Sequence, residues 1–137
     1  MMEASSYDIK DMLEAESILA LTYGADLFIG KEPSKPDNVV TIFDTPSFPP
    51  YLGLDTIGYE YPSIQIRVRN RKYKEGMDLI EEIKNLLHGQ AQVTCNSTLY
   101  SVIYCTSGPT HLEWDDNGNA VFVCSFELQR RESNESI

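Results

Sequence analysis

Basic residues are scarce: 11 lysines and arginines stand against 21 aspartates and glutamates, for a formal net charge of −10. A protein that binds nucleic acid by neutralising phosphates needs the opposite balance, so the charge argues against that class. Cysteine is sparse as well. Cys95, Cys105 and Cys124 are odd in number, widely spaced and set in apolar, strand-like surroundings. No C-x-x-C pair points to zinc or dithiol chemistry, and the three read as buried thiols serving as small hydrophobes. No apolar run nears the roughly 18 residues a membrane helix needs. The opening MMEASSYDIK lacks a basic stretch followed by an apolar one. The chain is therefore expected to stay where it is made, in a cytoplasm.

Catalytic signatures are missing too. There is no G-x-x-x-x-G-K-[ST], G-x-G-x-x-G or H-E-x-x-H, and Ser107-Gly108-Pro109 lacks the G-x-S-x-G elbow of hydrolases. Of the two histidines, His88 reads as a helix terminator and His111 as an exposed strand residue beside a proline turn. Asp115-Asp116-Asn117-Gly118-Asn119 has neither the ligand spacing nor the closing glutamate of a calcium loop, and reads as a turn. Glu81 and Glu82 are neighbours on a helix and point about 100° apart, a poor arrangement for a shared site. The chain is read as a non-enzyme without metal or cofactor.

What the sequence does have is the pattern of one folded α+β domain. Hydrophobic residues make up 42% and charged residues 23%, and 137 residues suffice for a working core. A first helix is expected over residues 7–22, capped by Ser5, Ser6 or Asp8, with Ile9, Met12, Leu13 and Ala20 on its apolar face. Strands at 25–29 and 38–43 form a hairpin across the polar connector 30–37. A strand at 63–70 places Ile64, Ile66 and Val68 on one face and Gln65, Arg67 and Arg69 on the other. The main helix, 73–88, carries Met77, Ile80, Ile83, Leu86 and Leu87 inward, with Gly89 as its left-handed cap. Strands at 92–95, 100–106, 110–114 and 120–129 complete a C-terminal β-meander. A three-residue loop, Asp116-Asn117-Gly118, pairs Trp114 with Ala120 and Leu112 with Phe122. A mixed or antiparallel sheet thus packs against two helices within residues 1–129, and 130–137 form a polar tail.

Two features call for a partner. Residues 67–74, RVRNRKYK, carry +5, whereas the segments before and after carry −8 and −7. The stripe of Arg67, Arg69, Arg71, Lys72 and Lys74 is either a solvated strand edge and helix start, or a contact for an acidic neighbour such as a second copy. The second feature is the proline-rich loop 45–62, where Phe48, Pro49, Pro50 and Tyr51 put apolar bulk on a stiff surface segment. It either folds back on its own sheet or clasps another subunit.

The order of these strings carries a resemblance. DNVVTIFDT followed by Pro49-Pro50, then YPSIQIRVR and a helix opening at Tyr73, resembles the small minor capsid and tail terminator (tail-completion) proteins of tailed bacteriophages, over most of the chain. The Pro46-Ser47 step departs from the glycine-rich turn expected there. The resemblance implies a non-enzymatic virion protein, made in the host cytoplasm and forming a hexameric ring at the head-proximal end of the tail tube. Such a ring stops tube growth and joins the tail to the head connector. Its partners would be its own copies, the tail tube protein and the connector or stopper protein, with DNA passing through the lumen unbound and no membrane involved. An acidic lumen suits that passage. The competing readings are a head-side connector or stopper, and a small hydrolase or ligand-binding domain using Asp115, His111 and a pocket beside Trp114.

Overall fold

The computed structural model describes residues 2–48 and 59–133. Its elements are α1 (Ser5–Ala15), β1 (Leu27–Ile29), β2 (Val39–Phe48), β3 (Tyr61–Asn70), α2 (Tyr73–Leu87), β4 (Gln90–Cys95), β5 (Thr98–Trp114) and β6 (Ala120–Glu132). The strands form one sheet in the order β1-β2-β3-β6-β5-β4, parallel at β1/β2 and antiparallel elsewhere. The fold is α+β, with a mixed sheet packed against two helices and a meander of β4, β5 and β6, as the apolar patterns require.

Strand alternation builds the core face. Ile64 stands opposite Phe126, Ile66 opposite Cys124 and Val68 opposite Phe122, so the inward rows of β3 and β6 merge. Val40 and Ile42 of β2 extend them. Against this face α1 buries Ile9 and Leu13, and α2 buries Ile80, Ile83 and Leu87. Full burial of each such side chain contributes about 1.5–3 kcal/mol relative to exposure. The sheet curls: α1 packs on β1, β2 and β3, yet also touches β4 at the other edge.

α2 approaches the sheet most closely at Gly76, where an added Cβ would collide with the Phe122 ring and lie 3.1 Å from Asn70 Cβ. Gly76→Ala is therefore expected to cost about 1–3 kcal/mol by overpacking. The check is a lowered urea midpoint with an unchanged m-value. An unmoved midpoint would show that the Phe122 ring yields freely.

Several local expectations are corrected. β1 and β2 are parallel, Leu27 beside Val40 and Ile29 beside Ile42, so residues 30–38 cross over rather than turn a hairpin. α1 ends at Ala15, because the chain leaves helical geometry at Glu16 and turns to bury Leu19 and Leu21. Its N-terminus has no side-chain cap from Ser5, Ser6 or Asp8. Instead Asp44 of β2 accepts from the Ser6 N–H at 3.1 Å and the Ser6 hydroxyl at 2.6 Å, serving as a cap from a distant strand. The two expected strands at 100–114 are one, β5, because Ser107-Gly108-Pro109 makes a register shift and not a turn. Gly108 has φ +87°, and a Cβ there would sit 2.6 Å from the Val123 carbonyl oxygen. Trp114 does pair with Ala120, but His111 takes the place opposite Phe122, and a further irregularity between His111 and Glu113 leaves Leu112 exposed to solvent. β2 and β3 also extend into the expected loop, to Phe48 and from Tyr61. Finally, β6 runs to Glu132, so Arg130 and Arg131 lie in the sheet and not in a tail.

Candidate functional site

The basic stripe divides into two parts with different surroundings. On β3, Arg67 and Arg69 lie opposite the core face, and the crossover 30–38 supplies anions and carbonyls to them. Arg67 Nε donates to Glu32 at 2.9 Å and its Nη2 to Glu113 of β5 at 3.2 Å. Arg69 is buried: it donates to the Asp37 carbonyl at 3.0 Å, the Pro36 carbonyl at 2.7 Å and the Glu32 carboxylate at 3.3 Å. Each bond on a guanidinium of this kind is charge-assisted and stronger than a neutral one. These two arginines strap the crossover to the sheet from within the subunit.

Beyond Asn70 the stripe turns outward. Arg71 binds Asp37 at 2.8 Å but keeps 67% of its side chain exposed. The hydrogen bond from Arg71, with a second from Lys35, holds the Asp37 carboxyl down at about 2. Lys72 and Lys74 are 75% and 88% exposed, with only solvent-screened pairs to Glu75 at 3.8 Å and Asp78 at 3.2 Å along α2.

Phe48 pairs with Tyr61 at the last rung of β2 and β3, past an irregularity at Thr45. Pro49, Pro50 and Tyr51 lie outside the described residues. The base of this hairpin is clamped to β6: Glu60 and Arg130 exchange both backbone hydrogen bonds, at 2.8 and 3.0 Å. The Arg130 side chain then joins three separate segments of the chain. It binds Glu60 through Nε at 3.0 Å, the Glu3 carbonyl at 2.7 Å and the Tyr100 hydroxyl at 3.3 Å. Tyr100 in turn donates to the buried Asp8 of α1, which also accepts from Asn96 at 2.9 Å. Burial, and then the bond to Asp8, push the Tyr100 hydroxyl well above its ordinary pKa. Sequence reading missed this buried network. Its one signal was the period of two from Ala120 through Leu128, which continues inward at Arg130.

At the opposite end of β3 and β6 lies a cluster of rings. Tyr73, which opens α2, sits 5.2 Å from His111, 5.1 Å from Phe122 and 6.1 Å from Trp114. His111 is 5.3 Å from Trp114, and its Nε2 is buried without a hydrogen-bond partner. Asp115 is occupied by its turn, accepting from the backbone of Asn119 and Asn117 at 2.9 Å each, which lowers its pKa. His111 and Asp115, the pair weighed for a hydrolytic site, thus serve a ring cluster and a turn. His88 follows α2, and its Nδ1 accepts from the Cys105 N–H at 2.9 Å. Cys124 is buried and lies 3.5 Å, sulfur to sulfur, from the half-buried Cys105. Among the described residues no group of three or more His, Cys, Asp or Glu is placed to hold a metal ion, and no helix is long and apolar enough to cross a membrane.

No curated protein sequence matches this chain. Among solved structures, a chain of the virion of a native gene transfer agent particle has a similar fold, with a TM-score of 0.68 at 12% identity. That similarity covers 93% of this chain and 95% of the other. The family model of the bacteriophage tail terminator protein matches residues 16–131, from the turn after α1 almost to the end of β6. The chain belongs to the bacteriophage tail terminator protein family.

Proposed function

We propose that this structural protein of the phage tail assembles into a ring, six copies in the family's manner, at the head-proximal end of the tail tube. There it halts tube polymerisation and presents the surface to which the head connector docks. The observation that carries this reading is the family match across residues 16–131. The charge distribution supports it. An acidic subunit, repeated around a ring, surrounds DNA with like charge and lets it pass unbound. A closed ring also needs two different complementary patches on each subunit. Exposed cations are concentrated at Arg71, Lys72 and Lys74, and this end is one such patch. Arg67 and Arg69 contribute indirectly, by holding the crossover against the sheet. Phe48, Pro49, Pro50 and Tyr51, at and beyond the end of the clamped hairpin, form an apolar clasp that assembly covers.

The test is phage production without the chain. Electron micrographs are expected to show tail tubes longer than normal and unattached to heads. Tails of normal length that fail only to attach would overturn the terminator role in favour of a head-side stopper.

A further inference from the structure

Two thiols meet between β5 and β6. Cys124 belongs to the core cluster and Cys105 packs against it, with their sulfurs 3.5 Å apart. In the sheet Cys105 stands opposite Phe126, and an irregularity between Cys105 and Ser107 leaves Thr106 without a rung of its own. A bulge of this kind bends its strand and re-aims the side chains beside it. That suits the lean of Cys105 along β6 toward Cys124. A disulfide bond is about 2 Å long, so closing it needs an approach of about 1.5 Å from the present contact. The irregular stretch Thr106-Ser107-Gly108 is exposed to solvent and gives β5 the freedom for that shift.

The two sulfurs are not equivalent. Cys105 is half-buried and borders the exposed Tyr104, Thr106 and Ser107, so a small reagent reaches it from solvent. Its sulfur lies 3.6 Å from the carbonyl oxygens of Ser107 and Gly108, to either of which its S–H can donate. Cys124 is fully buried, and burial, followed by its bond to Cys105, pushes its thiol well above the ordinary cysteine range. One thiol is thus placed to meet a reagent, and the other to meet only the first. The third cysteine stands apart. Cys95 pairs with Thr98 at the start of β5, roughly 20 Å along the strand from Cys105. Its thiol donates to the Asp8 carbonyl at 3.7 Å, and burial, with the carboxylates of Asp8 and Asp11 nearby, pushes it up to about 11.

We infer that Cys105 and Cys124 form an oxidation site, which a low-molecular-weight disulfide converts to an intramolecular disulfide once the particle has left the host cell. The Cys105 sulfur gives up its proton and attacks one sulfur of the reagent, whose S–S bond breaks. The departing thiolate takes that proton, and a mixed disulfide remains on Cys105. The Cys124 sulfur then attacks the Cys105 sulfur, forming the Cys105–Cys124 bond and expelling the second thiolate, which takes up the Cys124 proton. The two protein thiols lose two electrons, and the reagent gains them as two free thiols. A cytoplasm poised by reduced glutathione keeps the pair open, whereas an oxidising exterior lets it close. The subunit therefore assembles as a dithiol and afterwards gains a covalent link between β5 and β6. The loop so closed contains His111, Trp114 and the turn at Asp115.

The experiment incubates the reduced full chain with oxidised glutathione, blocks the remaining thiols with N-ethylmaleimide and maps the chymotryptic peptides. The expected product joins the peptide carrying Cys105 to the one carrying Cys124 within a single chain, leaves Cys95 blocked, and reopens in excess reduced glutathione. Cys124→Ala keeps the buried site apolar and should hold one glutathione on Cys105, while Cys105→Ala should hold none on Cys124. Chain blocked at the moment of cell lysis should show three free thiols, and released particles the link. A wild-type chain that stops at glutathione on Cys105, keeps both thiols free, or links Cys95 or a second chain instead overturns the site. Thiols still free in released particles, or a link that survives excess reduced glutathione, overturn its closure after release. The ring reading stands separately, on oligomeric mass.

Discussion

Replacing Arg130 by methionine is expected to destabilise the subunit by about 3–5 kcal/mol, the range found when one partner of a buried charged network is removed. The Arg130 side chain is 8% exposed and lies 3.9 Å from Asp8, whose side chain is 1% exposed. Methionine keeps the aliphatic bulk, so the loss isolates the guanidinium. Without it the Asp8 carboxylate has hydroxyl and amide donors but no cation, and the Glu3 carbonyl and Glu60 lose their partner. The cost should fall when Asp8→Asn is combined with the change, because the groups share one network and their effects do not add. Urea unfolding of the single and double variants reads this directly. A single variant within about 0.5 kcal/mol of the parent would match an ordinary surface site and would mean that the network is solvated.

Arg69→Met comes second, with an expected loss of about 2–3 kcal/mol, less than the full penalty because Glu32 keeps Arg67. Arg69 binds the Pro36 and Asp37 carbonyls, so its removal leaves the far half of the crossover held by the exposed bonds of Arg71 to Asp37 and Asn38. Amide exchange should accelerate across residues 30–38 while the β3/β6 core stays protected. Exchange unchanged there would show that backbone shape and the Arg71 bonds, not Arg69, hold the crossover. This result also separates folding from assembly. Glutamate at Arg67 or Arg69 would damage the subunit itself, whereas Lys72 and Lys74 are exposed enough for charge reversal to leave folding within about 0.5 kcal/mol.

The elements with strong periodicity were legible from sequence. The inward rows of β3 and β6 and the apolar stripe of α2 follow from spacing alone. Gly89, at φ +89°, and Gly118, at φ +81°, stand where a helix cap and a tight turn demand them. Strand direction was not legible. A three-residue β1 and a polar connector of eight or nine residues suit a hairpin and a crossover equally, and the choice depends on pairing across the sheet. Gly108-Pro109 reads as a turn locally, yet the close approach of the Val123 carbonyl keeps the strand going through an irregularity. The stripe of basic residues was visible, but its division was not. Glu32 and Asp37 lie more than 30 positions from the arginines they meet, and no local pattern announces such pairs. From sequence Asp8 is one of three cap candidates, because helix starts favour aspartate and serine. The curl of the sheet instead brings Tyr100 and Arg130 to it.

Native mass spectrometry of the chain, alone and mixed with tail-tube protein, tests most directly whether it is a unit built to be completed by copies of itself. One dominant closed species of six copies is expected, dispersed by raised salt or by loss of the Lys72 and Lys74 charges. A single-chain mass under both conditions, across the accessible concentration range, would contradict it.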